Sequence, residues 1–196
     1  MLAAVILAAG QSRRMGRAKA LLSFRGKTFV EHLIRVTRHP RVGITRVVLG
    51  AGAEAIRAKL PALKPASIVV NPDWRSGQLS SIQAAIRRVT AEETEGMILC
   101  PVDHPLISAQ LVAQLIGAFD ATSKQIVLPV YQGRRGHPVI FSASLYYELL
   151  TASPEVGARQ VVWAHAQDVA EVATDEEGVI LNLDDPKSLR QALQKL

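Results

Sequence analysis

Ala3-Ala4-Val5-Ile6-Leu7-Ala8-Ala9-Gly10-Gln11-Ser12-Arg13-Arg14-Met15-Gly16-Arg17-Ala18-Lys19 starts as an apolar run and ends as a loop holding two glycines and four cations. The run Ala3 to Ala8 reads as a buried strand. A strand that empties into such a loop is built for phosphate. Glycine lets backbone N–H groups turn toward an anion with no Cβ in the way, while Arg and Lys side chains neutralise its charge. Arg13, Arg14, Arg17, Lys19, Arg25 and Lys27 all precede Glu31, the first acidic residue. This one segment matches the formal net charge of +6, since residues 31–196 carry seventeen cations and seventeen acids.

The isoelectric point of about 9.8 therefore reports a local anion site and not a basic coat. Aromatic residues make up only 5% of the chain, too few for the stacking platforms of a single-strand nucleic-acid binder. A length of 196 residues fits one domain, 1–196, with a sizeable core. The opening segment Leu2 to Gly10 is too short to cross a bilayer, and its arginines follow it, the reverse of a secretory signal. The expectation is a cytoplasmic protein with no membrane or nucleic-acid partner. Cys100 stands alone, which excludes an intrachain disulfide and every cysteine-cluster metal site.

Short apolar runs alternate with longer stretches of helical period, the pattern of a three-layer α/β sandwich: a mostly parallel, Rossmann-like sheet with helices on both faces. The strands are expected at Ala3 to Ala8, Thr45 to Gly50, Ser67 to Asn71, Gly96 to Cys100 and Gln125 to Val130. Val30, Leu33, Ile34 and Thr37 mark one helix face, and Leu111, Val112, Leu115, Ile116 and Phe119 mark another behind the N-cap Ser108. Tyr131 to Pro138 is a polar turn, and with the apolar Val139-Ile140-Phe141 it reads as a small β-hairpin or flap added to the sheet.

Ligands of an open parallel sheet bind beyond the carboxyl ends of its strands. Here those positions hold the basic Gly10 loop, then Asn71 to Gly77 followed by Ser80-Ser81, then Pro101-Val102-Asp103-His104-Pro105. A carboxylate on a rigid turn opposite a phosphate loop suits Mg²⁺, which takes one or two carboxylates plus substrate phosphates. The loop is not a P-loop: Gly10 and Gly16 are separated by five residues, and Lys19 comes three later. Ser12 and Met15 also break the dinucleotide-binding glycine pattern.

What the loop does match is Leu-Ala-Ala-Gly-x-Ser-x-Arg-Met-Gly-x-x-Lys. On Leu7 to Gly16 with Lys19 to Leu22, on Asn71 to Gly77, on Pro101 to Pro105 and on Arg135 to Phe141, the chain resembles the MobA-like nucleotidyltransferases. Within them it is similar to the molybdenum cofactor cytidylyltransferases, and Gly157-Ala158-Arg159 and Asp184-Asp185-Pro186 fit as well. The resemblance implies a fold like that of the nucleotide-diphospho-sugar transferases. The implied reaction is transfer of CMP from CTP to the terminal phosphate of molybdopterin, releasing pyrophosphate. Ala9 favours CTP, because guanylyltransferases of the family tend to have glycine there.

The resemblance also implies the site. Arg14, Lys19 and Asp103 are catalytic; Leu7, Ala8, Ala9, Gly10, Ser12, Arg13, Gly16, Gly77, Ser80 and Ser81 bind the nucleotide; Arg135, Gly136 and His137 bind the acceptor. Asp103 holds Mg²⁺, with Asn182 and Asp184 both named as the second ligand because relatives often read Asp-x-Asp-Thr-Pro where this chain has Asn182-Leu183-Asp184-Asp185-Pro186. The bland alternative is that Asp184 or Asp185 caps a helix starting at Pro186. The half 1–105 is assigned to nucleotide and the half 106–196 to acceptor.

Other residues have plainer readings. His104 is a loop histidine more often not a ligand, Cys100 a buried small hydrophobe, and Trp163 core. Asp73 and Trp74 touch substrate or simply close a turn. Arg134 joins Arg135 and His137 on a basic flap or a solvated hairpin. Two other functions remain open: a guanylyltransferase or sugar- or polyol-phosphate nucleotidyltransferase, and a non-catalytic nucleotide-binding protein delivering cofactor to a molybdoenzyme. Asp103 together with Lys19 argues against the last.

Overall fold

The computed structural model describes residues 1–89 and 94–194. In chain order the elements are β1 (Leu2–Ala8), a small hairpin β2 (Ser23–Phe24) and β3 (Lys27–Thr28), α1 (Phe29–Val36), β4 (Val42–Leu49), α2 (Ala53–Ala58), β5 (Ile68–Val70), α3 (Gln78–Ile86) and β6 (Gly96–Pro101). There follow α4 (Ala109–Ala121), β7 (Ile126–Tyr131), β8 (Arg134–Arg135), β9 (Val139–Ser142), α5 (Tyr146–Thr151), α6 (Arg159–Ala164), β10 (Val169–Ala173) and α7 (Pro186–Gln194). All five expected strands are present.

The main sheet runs in the order β10-β7-β9-β6-β1-β4-β5, with β8 pairing on β7. Parallel pairing joins β1 to β4 and β6, β4 to β5, and β10 to β7. Every residue of β1 is buried, as befits a strand covered on both faces. Its side chains alternate between two cores. Leu2, Ile6 and Ala8 pack with α1, α4 and α7, whereas Ala3, Val5 and Leu7 pack with α3, α5 and α6. The three layers follow from this period of two. Ser108 caps α4 as expected, its Oγ accepting the Leu111 N–H at 3.0 Å.

The structure corrects the hairpin in one respect. Tyr131 does pair with Arg134 across a tight turn, but Val139–Ser142 is no flap. It enters the sheet between β6 and β7, antiparallel to both. Val139, Ile140 and Phe141 are all buried, and an uninterrupted apolar run is stable only where both faces are covered. Trp163 is likewise not core: it lies 63% exposed on α6.

Candidate active site

The loop after β1 is shaped by two left-handed residues, Ser12 at φ 53° and Gly16 at φ 73°. Between them Arg13–Met15 forms one 3-10 turn, closed by Gly16 N–H on the Arg13 carbonyl at 3.2 Å. The Ser12 hydroxyl oxygen accepts the Lys19 N–H at 3.1 Å, folding the loop back so that Lys19 returns to the strand end. A glycine at position 16 costs nothing in this conformation, where a Cβ would strain it.

A second wall comes from the segment after β5. Buried Asn71 reaches Ser80 Oγ at 2.9 Å and Ser81 Oγ at 3.0 Å, and its Oδ1 accepts the Asp73 N–H at 2.9 Å. Ser80 Oγ also lies 2.8 Å from the Gly77 carbonyl oxygen. These bonds hold Trp74 and Gly77 at the rim, with the Arg75 guanidinium 4.3 Å above the Trp74 ring.

The walls enclose a cleft of about 600 Å³. Leu7, Ala8, Ala9, Gly10, Ser12, Arg13, Arg14, Lys19, Gly77, Ser81, Asp103 and Asp184 all line it. Gly16 and Ser80 do not: Gly16 shapes the loop from behind, and Ser80 spends its hydroxyl on the Asn71 network. Ile56, Trp74, Arg75, Gln78, Pro101 and Val102 line the cleft too. Of these, Gln78 and Ile56 carried no signal in sequence, since a glutamine after Gly77 and an isoleucine on α2 are ordinary helix residues.

Beside the cleft is a smaller, polar depression of about 280 Å³. Arg135, Gly136, His137 and Asn182 line it, with Arg134 and His104. Gln78, Pro101 and Asp103 belong to both cavities. Asp103 thus stands on the wall that the two share.

Charge is concentrated at this wall. Lys19 Nζ lies 3.3 Å from Asp103 Oδ2 and is also hydrogen-bonded to Asp184 Oδ1. Arg14 Nη2 meets Asp184 Oδ2 at 2.6 Å. Burial by itself would raise the Asp184 carboxyl, but the Lys19 hydrogen bond and charge, with Arg14, carry it below its ordinary value. The neighbouring imidazoles go the other way in charge. Burial holds His104 below the usual histidine range and takes His137 to about 4, and their rings sit 4.8 Å apart as neutral groups.

The two aspartates left open in sequence now separate. Asp185 Oδ1 accepts the N–H groups of Lys187 and Ser188, each at 2.8 Å, and so caps α7. Asp184 turns into the cleft. Asn182 faces the smaller depression, where it shares a wall with Asp103 but not the ammonium that Asp103 and Asp184 both bind. A position that already attracts a cation between two carboxylates fits a divalent metal. Among the described residues no group of three or more His, Cys, Asp or Glu could hold one alone, so phosphate oxygens would have to complete the shell.

Cys100 and Asp73 have structural settings. Cys100 is buried in β6, where burial pushes its thiol up to about 12, far from a nucleophile's range. The Asp73 N–H bonds Asn71, which closes a turn. Arg135, on the wall of the smaller depression, also pairs with Glu171 at 2.7 Å, whereas Gly157 and Arg159 lie outside both cavities.

The model of the MobA-like NTP transferase domain matches residues 4–169. Among curated relatives, nicotine blue oxidoreductase of Paenarthrobacter nicotinovorans is 35% identical over 79% of this chain and 78% of its own length. The molybdenum cofactor guanylyltransferase of Shewanella sp. strain ANA-3 is 29% identical, covering 94% and 91%. The molybdenum cofactor cytidylyltransferase of Escherichia coli K12 is 24% identical, covering 97% and 95%. Among solved structures, Rv0371c of Mycobacterium tuberculosis H37Rv superimposes with a TM-score of 0.81 at 29% identity, over 98% of this chain and 97% of that one. A complex of Rv0371c with manganese gives 0.74 at 27% identity, over 100% and 99%. The architecture is that of the nucleotide-diphospho-sugar transferase fold. The matched span places this chain in the MobA-like NTP transferase family of nucleotidyltransferases.

Proposed function

We propose that this protein moves CMP from CTP to the terminal phosphate of molybdopterin and releases pyrophosphate. The observation that carries the reading is Asp103 on the common wall of two anion-suited cavities, one built for a triphosphate and one for a phosphorylated acceptor. An acceptor phosphate oxygen bonds the α-phosphorus as the bridging oxygen to the β-phosphorus departs. That oxygen is already nucleophilic, so the protein's work is alignment and charge neutralisation.

Amides near Gly10 and Ser12 grip the triphosphate, while Arg14 and Lys19 neutralise the leaving pyrophosphate. Leu7, Ala8, Ala9 and Arg13 border the same phosphates. Gly77 and Ser81 lie toward the base or ribose, with Ser80 holding their loop and Gly16 shaping the first one. Asp103 and Asp184 would hold Mg²⁺, with Asn182 toward the acceptor side. When bound, Mg²⁺ supplies positive charge at the α-phosphate. Arg134, Arg135, Gly136 and His137 receive the acceptor. Nucleotide recognition falls to residues 1–105 and acceptor recognition to 106–196, with Asp184 reaching back into the nucleotide cleft. The protein works in the cytoplasm and passes its product to a molybdoenzyme, without nucleic acid or membrane.

GTP is the second reading, favoured by the 29% identity to the Shewanella guanylyltransferase. Pyrophosphate release is to be measured with CTP, GTP, ATP and UTP, Mg²⁺ and molybdenum-loaded molybdopterin, beside Asp103→Ala. Release with CTP alone, lost in the variant, supports the proposal; release with GTP makes the protein a guanylyltransferase. Silence with every nucleotide moves the search to sugar phosphates and then to redox chemistry, the class in the name of the Paenarthrobacter relative.

A further inference from the structure

Segment 176–184 delivers Asn182 and Asp184 to the site, and it is stitched antiparallel to the loop that carries Asp103. Leu183 N–H donates to the Asp103 carbonyl at 2.8 Å. Farther along, Gly178 lies so close to Leu106 that a Cβ would run into the Leu106 carbonyl oxygen. At the far end, Glu176 Oε2 accepts the Ser108 N–H at 2.9 Å, and Ser108 Oγ–H donates to Glu176 Oε1. On its outer side the segment is pinned by His137 N–H on the Val179 carbonyl at 2.8 Å, where Gly136 leaves no room for a Cβ.

We infer that Glu176 is a positioning residue: by clamping Ser108 it sets the separation of Asp103 and Asp184, and so the site for the divalent cation. Helix capping does not account for it, because Ser108 Oγ already caps α4 through the Leu111 N–H. Glu176 supplies a charged side-chain link from this segment to both the N–H and the hydroxyl of Ser108 in the 103–108 loop. Two hydrogen bonds to one charged group hold direction as well as distance, which a single backbone bond at Leu183 does not. Support of this kind behind metal ligands typically governs affinity about ten- to a hundredfold.

The inference rests on the reading that Asp103 and Asp184 hold metal, so the test reads metal directly. Mn²⁺ binding to the full chain is followed by electron paramagnetic resonance with CTP and, separately, with GTP. Glu176→Ala is expected to weaken Mn²⁺ about tenfold or more. Glu176→Gln, which keeps an oxygen for the Ser108 N–H, is expected to restore most of that affinity. Glu176→Asp keeps the charge but draws the carboxylate back by one methylene; it should bind Mn²⁺ weakly, and it serves if the alanine variant does not fold. Nucleotide affinity in EDTA should stay the same in all three. Unchanged Mn²⁺ affinity in a folded Ala or Asp variant overturns the inference, as does a Gln variant no better than Ala. Wild-type protein that binds no Mn²⁺ with either nucleotide overturns the metal reading first and this inference with it.

Discussion

Arg14 and Asp184, 170 residues apart in sequence, meet at 2.6 Å between Nη2 and Oδ2. The contact joins the basic loop after β1 to the loop before α7 across the cleft. Lys19 completes the arrangement from the inside, its side chain only 11% exposed, with a carboxylate on either side. Two cations are thereby held by two carboxylates on the wall of the cleft. Arrival of a metal–triphosphate complex would offer each charge a new partner, so little of the pairing has to be lost.

Asp103→Ala should reduce pyrophosphate release about a hundred- to a thousandfold, the usual cost of removing a preorganised electrostatic group. Its side chain lies on a cavity wall and supports no strand, so the melting temperature should hardly move. Steady-state turnover beside a thermal melt checks both halves.

Asp184→Asn and Asp185→Asn should differ in kind. The first is expected to lower turnover about ten- to a hundredfold and to raise the Mg²⁺ concentration needed for half-maximal rate. The second keeps an oxygen to cap α7 and loses only the charge at its N-terminus, so turnover should be unchanged and the melting temperature at most slightly lower. Equal losses of activity in the two would contradict the separation seen at the cleft.

Ala9→Gly removes one methyl group from the cleft wall. A single methyl in a pocket is worth about tenfold or more in discrimination, so the ratio of kcat/KM for CTP over GTP is expected to fall by about that factor. An unchanged ratio would mean that base choice is set elsewhere, with Gln78 and Ser81 the next positions to vary.

Stability should fall as pH drops from about 6.5 toward 4. Burial takes His137 to about 4, so in that window the unfolded chain gains a proton that the folded one refuses. His104, also lowered by burial, adds the same sign. Asp184 extends the trend further into acid, because its lowered carboxyl contributes stability that is lost as pH falls through its folded value. Urea melts at pH 7, 5.5 and 4.5 should show this slope, and His137→Asn should flatten it in the upper part of the range.

Much of the fold was legible because its signals are local. The seven buried residues of β1, the glycines and cations after it, and the helical period behind Ser108 each act within one element or one turn. Val139-Ile140-Phe141 was legible as a strand but not as an interior one, since nothing local distinguishes an edge from the space between β6 and β7. Trp163 misled for the opposite reason: a large aromatic on a helix is apolar in sequence wherever that helix is placed.

The sequence by itself determined the basic, glycine-bearing loop after β1, the α/β class and the presence of Asp103 at a strand end, because backbone conformation there is dictated by neighbouring residues. Only the tertiary structure decided that Asp184, not Asp185, enters the cleft, that the His104 and His137 rings pack at a tilt as neutral groups, and that Glu176 clamps Ser108. Those outcomes depend on segments brought together from opposite halves of the chain. Burial and charge at such a meeting point are properties of the packed sheet, and no stretch of sequence carries them alone.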